Sequence, residues 1–439
     1  MTQINDRKTI RSWAFFDWAN SAYNLVITST IFPAYYTIIT SSNKPDTIDY
    51  VQFMGFKFVN TALYNYALAF AFLIIALLSP VLSGIADSRG NKKFFMKMFT
   101  WIGALSCCGL YFFEAETLQL GIVLFILAAI GFWGSLVFYN AYLPEIATPD
   151  MQDTVSAKGY AYGYVGSILL QLLCFVFVFF PDTFGLSGAG QASRLSFLLV
   201  GIWWIVFAQI PFRNLPDTPK QSVVPTGNIL TSGFKELRKV WAQLKYMPYL
   251  KRFLTAFFFY SMGVQTVMLV ATVFGEKQLQ LPTAKLIGTI MLLQVVAIPG
   301  AMLMSWLSKN YLGNIRVLIG VVIIWIGVCA AAYFVETELQ FYFLAATVGL
   351  IMGGIQSLSR STYSKYLPQE SKDHTSFFSF FDVTEKVALV IGMFSFGYIE
   401  ELTGSMRNSL IALALFFVAG LAFLWLLRNS EPRRTLPVS

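Results

Sequence analysis

Stretches of about 20 apolar residues recur along this chain, the length a helix needs to cross the hydrocarbon core of a bilayer. Twelve spans are expected, at about 13–40, 60–85, 94–113, 118–142, 157–181, 194–212, 251–274, 284–307, 316–335, 339–363, 376–399 and 407–428. Only 12% of the 439 residues are charged, against roughly 25% in soluble domains. That is too little charge to cover a soluble surface of this size. Run length and the lack of period-2 alternation imply helices rather than strands. Short loops make neighbouring helices antiparallel. The expected fold class is an all-α membrane protein.

The chain also carries one pattern twice. Tyr142-Leu143-Pro144-Glu145 closes one apolar run and Tyr366-Leu367-Pro368-Gln369 closes another, 224 residues later. Earlier in each half, Ser83-Gly84-Ile85-Ala86-Asp87-Ser88-Arg89-Gly90-Asn91 matches the stretch from Ser305 to Asn314, at an offset of 222 with one insertion. Two six-helix pseudo-repeated bundles are therefore expected. The boundaries are 1–212 for the first, 213–250 for a connector, and 251–439 for the second with its tail. Rocking one repeat against the other around a central site is how such carriers give alternating access.

The formal charge of +8 invites a nucleic-acid reading, but its distribution argues against one. With the N-terminus cytoplasmic, 24 of the 31 Lys and Arg fall on that side, six on the other, and Lys386 inside a span. This is the positive-inside asymmetry, and it places both termini in the cytoplasm. In the connector, Leu230, Phe234, Leu237, Trp241 and Leu244 recur at helical spacing among basic residues. They predict an amphipathic helix on the membrane surface. The four cysteines lie inside spans without metal-ligand spacing, so no metal or cofactor is expected.

Polar residues inside the spans carry the functional reading, because hydrocarbon cannot hydrogen-bond them. In the first span Asp17, Asn20, Ser21, Asn24 and Thr28 are three or four apart and share a helix face. Asp17 can titrate as a coupling group or bind a substrate ammonium. Equally, it can be an acid at the membrane edge that pairs or caps. The eleventh span holds Asp382, Glu385 and Lys386, with Asp382 and Lys386 spaced as an i, i+4 ion pair. Such a pair is either a gate or proton relay, or a permanent structural bond. Gln356 and Arg360 share a face of the tenth span. Arg360 can fork onto a carboxylate or anchor its helix end on carbonyls. Ser261 with Gln265, and Ser135 with Tyr139, are candidate cavity walls. Gly159, Gly163 and Gly166, and again Gly349, Gly353 and Gly354, form small-residue stripes that allow close helix approach.

Ser83 to Lys93 resembles the loop between the second and third helices of the major facilitator superfamily, usually G-x-L-A-D-R-x-G-R-K-K. Asp87, Arg89, Gly90, Lys92 and Lys93 fit; Ser83 replaces the first glycine and Asn91 a base. The resemblance implies a gating role for Asp87, Arg89 and Gly90, with Asp87 at the positive N-terminal end of the eleventh helix. Lys309 stands where the second half would carry that acid, so the second lock must be weaker or different. Three further segments look like the vacuole effluxer (autophagy-related amino-acid permease-like) family within that superfamily. They are Phe16-Asp17-Trp18-Ala19-Asn20-Ser21-Ala22-Tyr23, Asn140-Ala141-Tyr142-Leu143-Pro144-Glu145, and Gln356-Ser357-Leu358-Ser359-Arg360-Ser361 with Leu367-Pro368. This resemblance implies twelve transmembrane helices in the major facilitator fold, and it suggests an amino-acid-like cargo.

The expectation is a secondary active transporter of a small polar solute, with efflux favoured and a coupling proton. It is monomeric, embedded in a bacterial plasma membrane and without nucleic-acid partners. The alternative is a receptor or scaffold on a transporter fold. An enzyme is not expected: the one histidine, His374, lies in a loop, and there is no phosphate-binding loop, H-E-x-x-H or G-x-S-x-G motif.

Overall fold

The computed structural model describes residues 4–41, 49–217, 229–368, 371 and 373–430. The helical segments in chain order are α1 (Arg7–Tyr23), a π-helical stretch (Asn24–Thr30) and α2 (Ile31–Thr40), followed by the strands β1 (Tyr50–Phe53) and β2 (Phe56–Val59). Then come α3 (Asn60–Arg89), α4 (Lys92–Gly109), α5 (Leu118–Asn140), the single turn α6 (Leu143–Ile146), α7 (Pro149–Phe179) and α8 (Ala189–Asn214). The connector carries α9 (Ile229–Gln243). The rest comprises α10 (Pro248–Leu279), α11 (Thr283–Leu307), α12 (Asn314–Tyr333), α13 (Glu338–Tyr366), α14 (His374–Thr403) and α15 (Met406–Ser430).

Among the described residues, ten helices are long and apolar enough to cross a membrane. They are ten of the twelve expected spans. The other two, the α1–α2 stretch and α14, are helical as well. They are the spans that hold Asp17 with its polar neighbours and Asp382 with Glu385 and Lys386, so their composition is less apolar.

Two local features depart from the sequence expectation. The first span is not one α-helix. Pro33 has no N–H for the carbonyl four residues earlier. The chain widens into a π-turn ahead of it, with the Ile31 N–H bonded to the Val26 carbonyl. The Ser29 and Thr30 hydroxyls fold back onto the carbonyls of Asn24 (2.9 Å) and Leu25 (2.7 Å), five residues earlier. The even three-to-four spacing from Asp17 to Thr28 is thereby lost after Tyr23. The second departure is an antiparallel hairpin, Tyr50–Phe53 with Phe56–Val59. Met54 (φ 49°) and Gly55 (φ 84°) form its two-residue turn, the left-handed pair that such hairpins need.

The described residues group into two compact units. The first draws on Met1–Ile146, Tyr162–Glu236 and Lys372–Ser379; the second on Ala147–Ala161, Leu237–Ser371 and Phe380–Ser439. In the first, α4 packs on α5 and α8, α1 on α8, and α3 on α5. In the second, α11 packs on α13, α10 on α15, and α12 on α13 and α15. Backbones approach at Gly349 and Gly353 of the second expected stripe. A Cβ at Gly353 would sit 2.3 Å from the Ala297 carbonyl oxygen, and one at Gly300 would sit 2.1 Å from that of Leu350. In the first unit, Gly166 lies against the Trp18 carbonyl and Gly163 against the Ser21 hydroxyl. Of the connector face, Leu244 is buried and Trp241 exposed; the side chains of Leu230 and Phe234 lie outside the described residues.

Candidate functional site

Three polar groups stand out, each internal to one unit. In the first unit α1 holds Asp17 fully inside the packing. The Tyr139 hydroxyl of α5 donates to its Oδ2 at 2.7 Å. Tyr139 is itself clamped between rings, stacked on Trp13 at 4.4 Å and on Phe16 at 4.8 Å. The indole of Trp13 donates to the Tyr139 carbonyl at 3.0 Å. Two expected site residues, Asp17 and Tyr139, are thus brought together by their own helices. Asn20 is buried one turn along the helix, and its side-chain oxygen accepts from the Ser21 hydroxyl at 3.4 Å. Beyond the π-turn the group diverges. Thr28 serves through its backbone, where its carbonyl accepts from the Tyr64 hydroxyl at 2.9 Å. A polar pair not expected from sequence replaces it: the Thr30 hydroxyl oxygen lies 2.8 Å from the side-chain oxygen of Gln171 of α7, both residues buried.

In the second unit α14 brings its charges together. The Lys386 ammonium lies 2.5 Å from Asp382 Oδ1, the i, i+4 pair that the spacing anticipates. The Gln265 amide of α10 donates to Glu385 Oε1 at 2.7 Å, joining two expected site residues 120 positions apart. The cluster holds two carboxylates and one ammonium. Asp382 Oδ2 is buried without a hydrogen-bond partner. Glu385 is the twelfth residue of the 30-residue α14, and Gln265 the eighteenth of the 32-residue α10, so both stand near the middle of their helices. Ser261, one turn from Gln265 on α10, is buried.

The third group is the motif loop. Gly90 ends α3 in the left-handed region (φ 64°), its N–H bonded to the Ala86 carbonyl, and α4 starts two residues later. Only a residue without a Cβ takes this turn without strain. The turn leaves Asp87 aimed at the first turn of α14, within the first unit. Its carboxylate accepts from the N–H groups of Thr375 (3.1 Å) and Ser376 (2.7 Å) and from the Ser376 hydroxyl (2.8 Å). Orphan amides at a helix start favour an anion on both hydrogen-bonding and dipole grounds. Beside it, the almost fully buried Lys92 pairs with Glu145 and lies over the Tyr142 ring at 4.1 Å. His374 Nδ1 stands 3.3 Å from the same carboxylate. Arg89 is exposed in the last turn of α3.

Arg360 is held within the second unit by the start of α7. Its guanidinium donates to the Ser156 hydroxyl (2.9 Å) and carbonyl (2.8 Å) and stacks over Tyr160 at 4.3 Å. This is the anchoring geometry rather than an open fork. Gln356, one turn earlier, is half-buried. No group of three or more potential metal ligands occurs among the described residues.

Comparison with known proteins decides the family. The family described as "Vacuole effluxer Atg22 like" matches residues 5–436. The chain belongs to that family. It is 31% identical over 419 residues to the uncharacterized MFS-type transporter YxiO of Bacillus subtilis strain 168, covering 95% of this chain and 94% of that protein. It is 24% identical over 467 residues to autophagy-related protein 22 of Kluyveromyces lactis, covering 94% and 92%. Among solved structures it resembles the proton:xylose symporter XylE, with a TM-score of 0.71 at 13% identity over 95% of this chain and 94% of that one. The fold is therefore that of the major facilitator superfamily. This member of the effluxer family is a multi-pass secondary transporter and not an enzyme.

Proposed function

We propose that this transporter exports a small polar solute, with amino acids the favoured class, in exchange for protons. It works by alternating access as a monomer in a bacterial plasma membrane, with both termini and the basic loops in the cytoplasm. The observation that carries the coupling is the α14 cluster. Lys386 offsets one carboxylate, and the second, Glu385, is met by a neutral amide. A carboxylate at mid-membrane without full charge compensation is costly. A proton relieves that cost when it binds, and a substrate ammonium can take its place. Exchange of the two at one carboxylate couples their movements. The family's description as a vacuole effluxer supports the export direction, and the charge asymmetry supports the orientation.

Purified protein in liposomes loaded with a pH-sensitive dye tests this. Addition of a transported amino acid should move protons in the wild type. Glu385→Gln should abolish the proton signal while still allowing counterflow of radiolabelled cargo. Proton movement undiminished in Glu385→Gln would remove the cluster from the coupling. An absence of flux with any amino acid, dipeptide or amine would return the alternative of a receptor on a transporter fold.

A further inference from the structure

Between α2 and α3 the chain makes a hairpin that none of the polar groups above uses. Its base is fixed. The Asn60 N–H donates to the Asp49 carbonyl at 3.0 Å, next to the Tyr50–Val59 pair. The buried Asn60 side chain donates to the hydroxyls of Thr40 (3.3 Å) and Ser41 (3.2 Å) at the end of α2, and its carbonyl accepts from the Tyr36 hydroxyl at 2.8 Å. The hairpin is therefore held in place at the head of α3.

The cross-strand register sorts its side chains, which neither four-residue strand does alone. Directly opposed residues share a face, and successive residues alternate. Tyr50 with Val59 and Gln52 with Lys57 form one face; Val51 with Phe58 and Phe53 with Phe56 form the other. The second face is wholly apolar. The first carries the polar groups, with the Lys57 ammonium 4.2 Å from the centre of the Tyr50 ring. A two-stranded hairpin is marginal in water, and one with three phenylalanines on one side needs a cover. The fold supplies part of it: Val51, Phe53 and Phe58 are half-buried, but Phe56 is 70% exposed.

The neighbour of that face indicates what completes the cover. Phe58 meets the Tyr66 ring of α3 edge-on, with centroids 6.2 Å apart. Tyr66 heads a stripe of exposed apolar residues, with Phe70, Leu73 and Leu77 following on the same side of a helix long and apolar enough to span the membrane. Hydrocarbon is the solvent of such a stripe. The apolar hairpin face adjoins this lipid-facing side at the end of α3 opposite Gly90. A tyrosine and a lysine on the other face are residue types that settle among headgroups.

We propose that the hairpin is a membrane-interface anchor. Its Val51, Phe53, Phe56 and Phe58 face lies in the acyl–headgroup boundary of the phospholipid leaflet on the side opposite the motif loop. Tyr50, Gln52 and Lys57 face headgroups and water. None of this depends on the cargo, the direction of transport or the α14 carboxylates.

Nitroxide accessibility of the purified protein in liposomes of phosphatidylethanolamine and phosphatidylglycerol tests it. Cys108 is changed to serine, and the other three cysteines are buried. Spin labels are placed singly through Gln52→Cys, Phe56→Cys and Lys57→Cys, all exposed positions, and Phe70→Cys on the α3 stripe sets the lipid end of the scale. Oxygen concentrates in lipid and a charged or polar nickel chelate in water. The ratio of oxygen to nickel collisions should be about fivefold higher at 56 than at 52 or 57, for a side chain about 5–10 Å into the boundary. Equal ratios at the three positions, whether all nickel-rich as in water or all oxygen-rich as in hydrocarbon, would overturn the anchor. So would a label at 56 shielded from both reagents and broadened by a neighbouring spin until diluted with unlabelled protein, which would put a second copy on this face. Should Phe56→Cys not elute as a single folded species, Phe53→Cys, on the same face, is read by the same criterion.

Discussion

Replacing Asp87 by asparagine is the sharpest perturbation of the latch between the motif loop and α14, because the side chain keeps its shape and loses its charge. The carboxylate accepts three bonds from the start of α14, two of them at Oδ2. The amide retains most if its oxygen takes the Oδ2 position and keeps both Ser376 bonds. Its NH2 group then faces the Thr375 N–H, a donor against a donor. Hydrogen bonds to a charged acceptor contribute about 1.5–3 kcal/mol and neutral ones about 0.5–1.5, while a buried donor left unsatisfied costs about 1–3 kcal/mol. Loss of the charge–dipole attraction adds about 0.3–1 kcal/mol. These contributions overlap, and a total of about 3 kcal/mol corresponds to roughly a hundredfold shift in the ratio of latched to open molecules. Ser379, fully buried on the same stretch and bonded to Ser79 at 3.1 Å, offers a reporter. A Ser379→Cys variant, with the half-buried Cys108 changed to serine, should react with a maleimide about a hundredfold faster when Asp87→Asn is added. Labelling rates within about threefold of one another would refute the latch energetics.

Other perturbations have equally definite outcomes. Gly353→Ala drives a methyl to 2.3 Å from the Ala297 carbonyl oxygen, so α11 and α13 must separate; a melting temperature lowered by several degrees is expected, and an unchanged value would disprove the close contact. Lys386→Met leaves Asp382 as a buried charge without its ammonium, so folding yield and melting temperature should fall, and Asp382→Asn added to it should recover most of the loss. Tyr139→Phe removes the hydroxyl that donates to Asp17 at 2.7 Å; a loss of about 1–3 kcal/mol is expected in thermal unfolding, whereas Tyr64→Phe, which removes a bond to a backbone carbonyl, should cost less.

Much of the scaffold was legible because membrane helices announce themselves by composition over 20 residues. The contact of Asp87 with the start of α14 was legible through its motif, and the Asp382–Lys386 pair through spacing alone. Partners across long separations were not. A helical wheel can place Gln265 and Glu385 on polar faces, but nothing in either helix says that they meet. The break after Tyr23 required weighing Pro33 against the carbonyl four residues before it, and Ser29 and Thr30 as the hydroxyls that meet the freed groups. The hairpin at 50–59 is too short to show alternation, and its Met54-Gly55 turn is less distinctive than Asn-Gly.

The division of labour between what is repeated and what is not bears on how such a molecule can work. The turns at Gly90 and Gly313 and the glycine contacts between helices are scaffold features found in both halves, and they give the chain two bundles of similar construction. The charged chemistry is not repeated. At an offset of 224, Asp382, Glu385 and Lys386 fall opposite Lys158, Ala161 and Tyr162, so the matching stretch of α7 carries no carboxylate at these positions. On the alternating-access reading, similar bundles keep two end states close in energy, and a small bias then decides between them. A ligand supplies bias only through different affinities for the two states. A cluster confined to one half, whose charge changes when a proton or ammonium binds, meets that requirement.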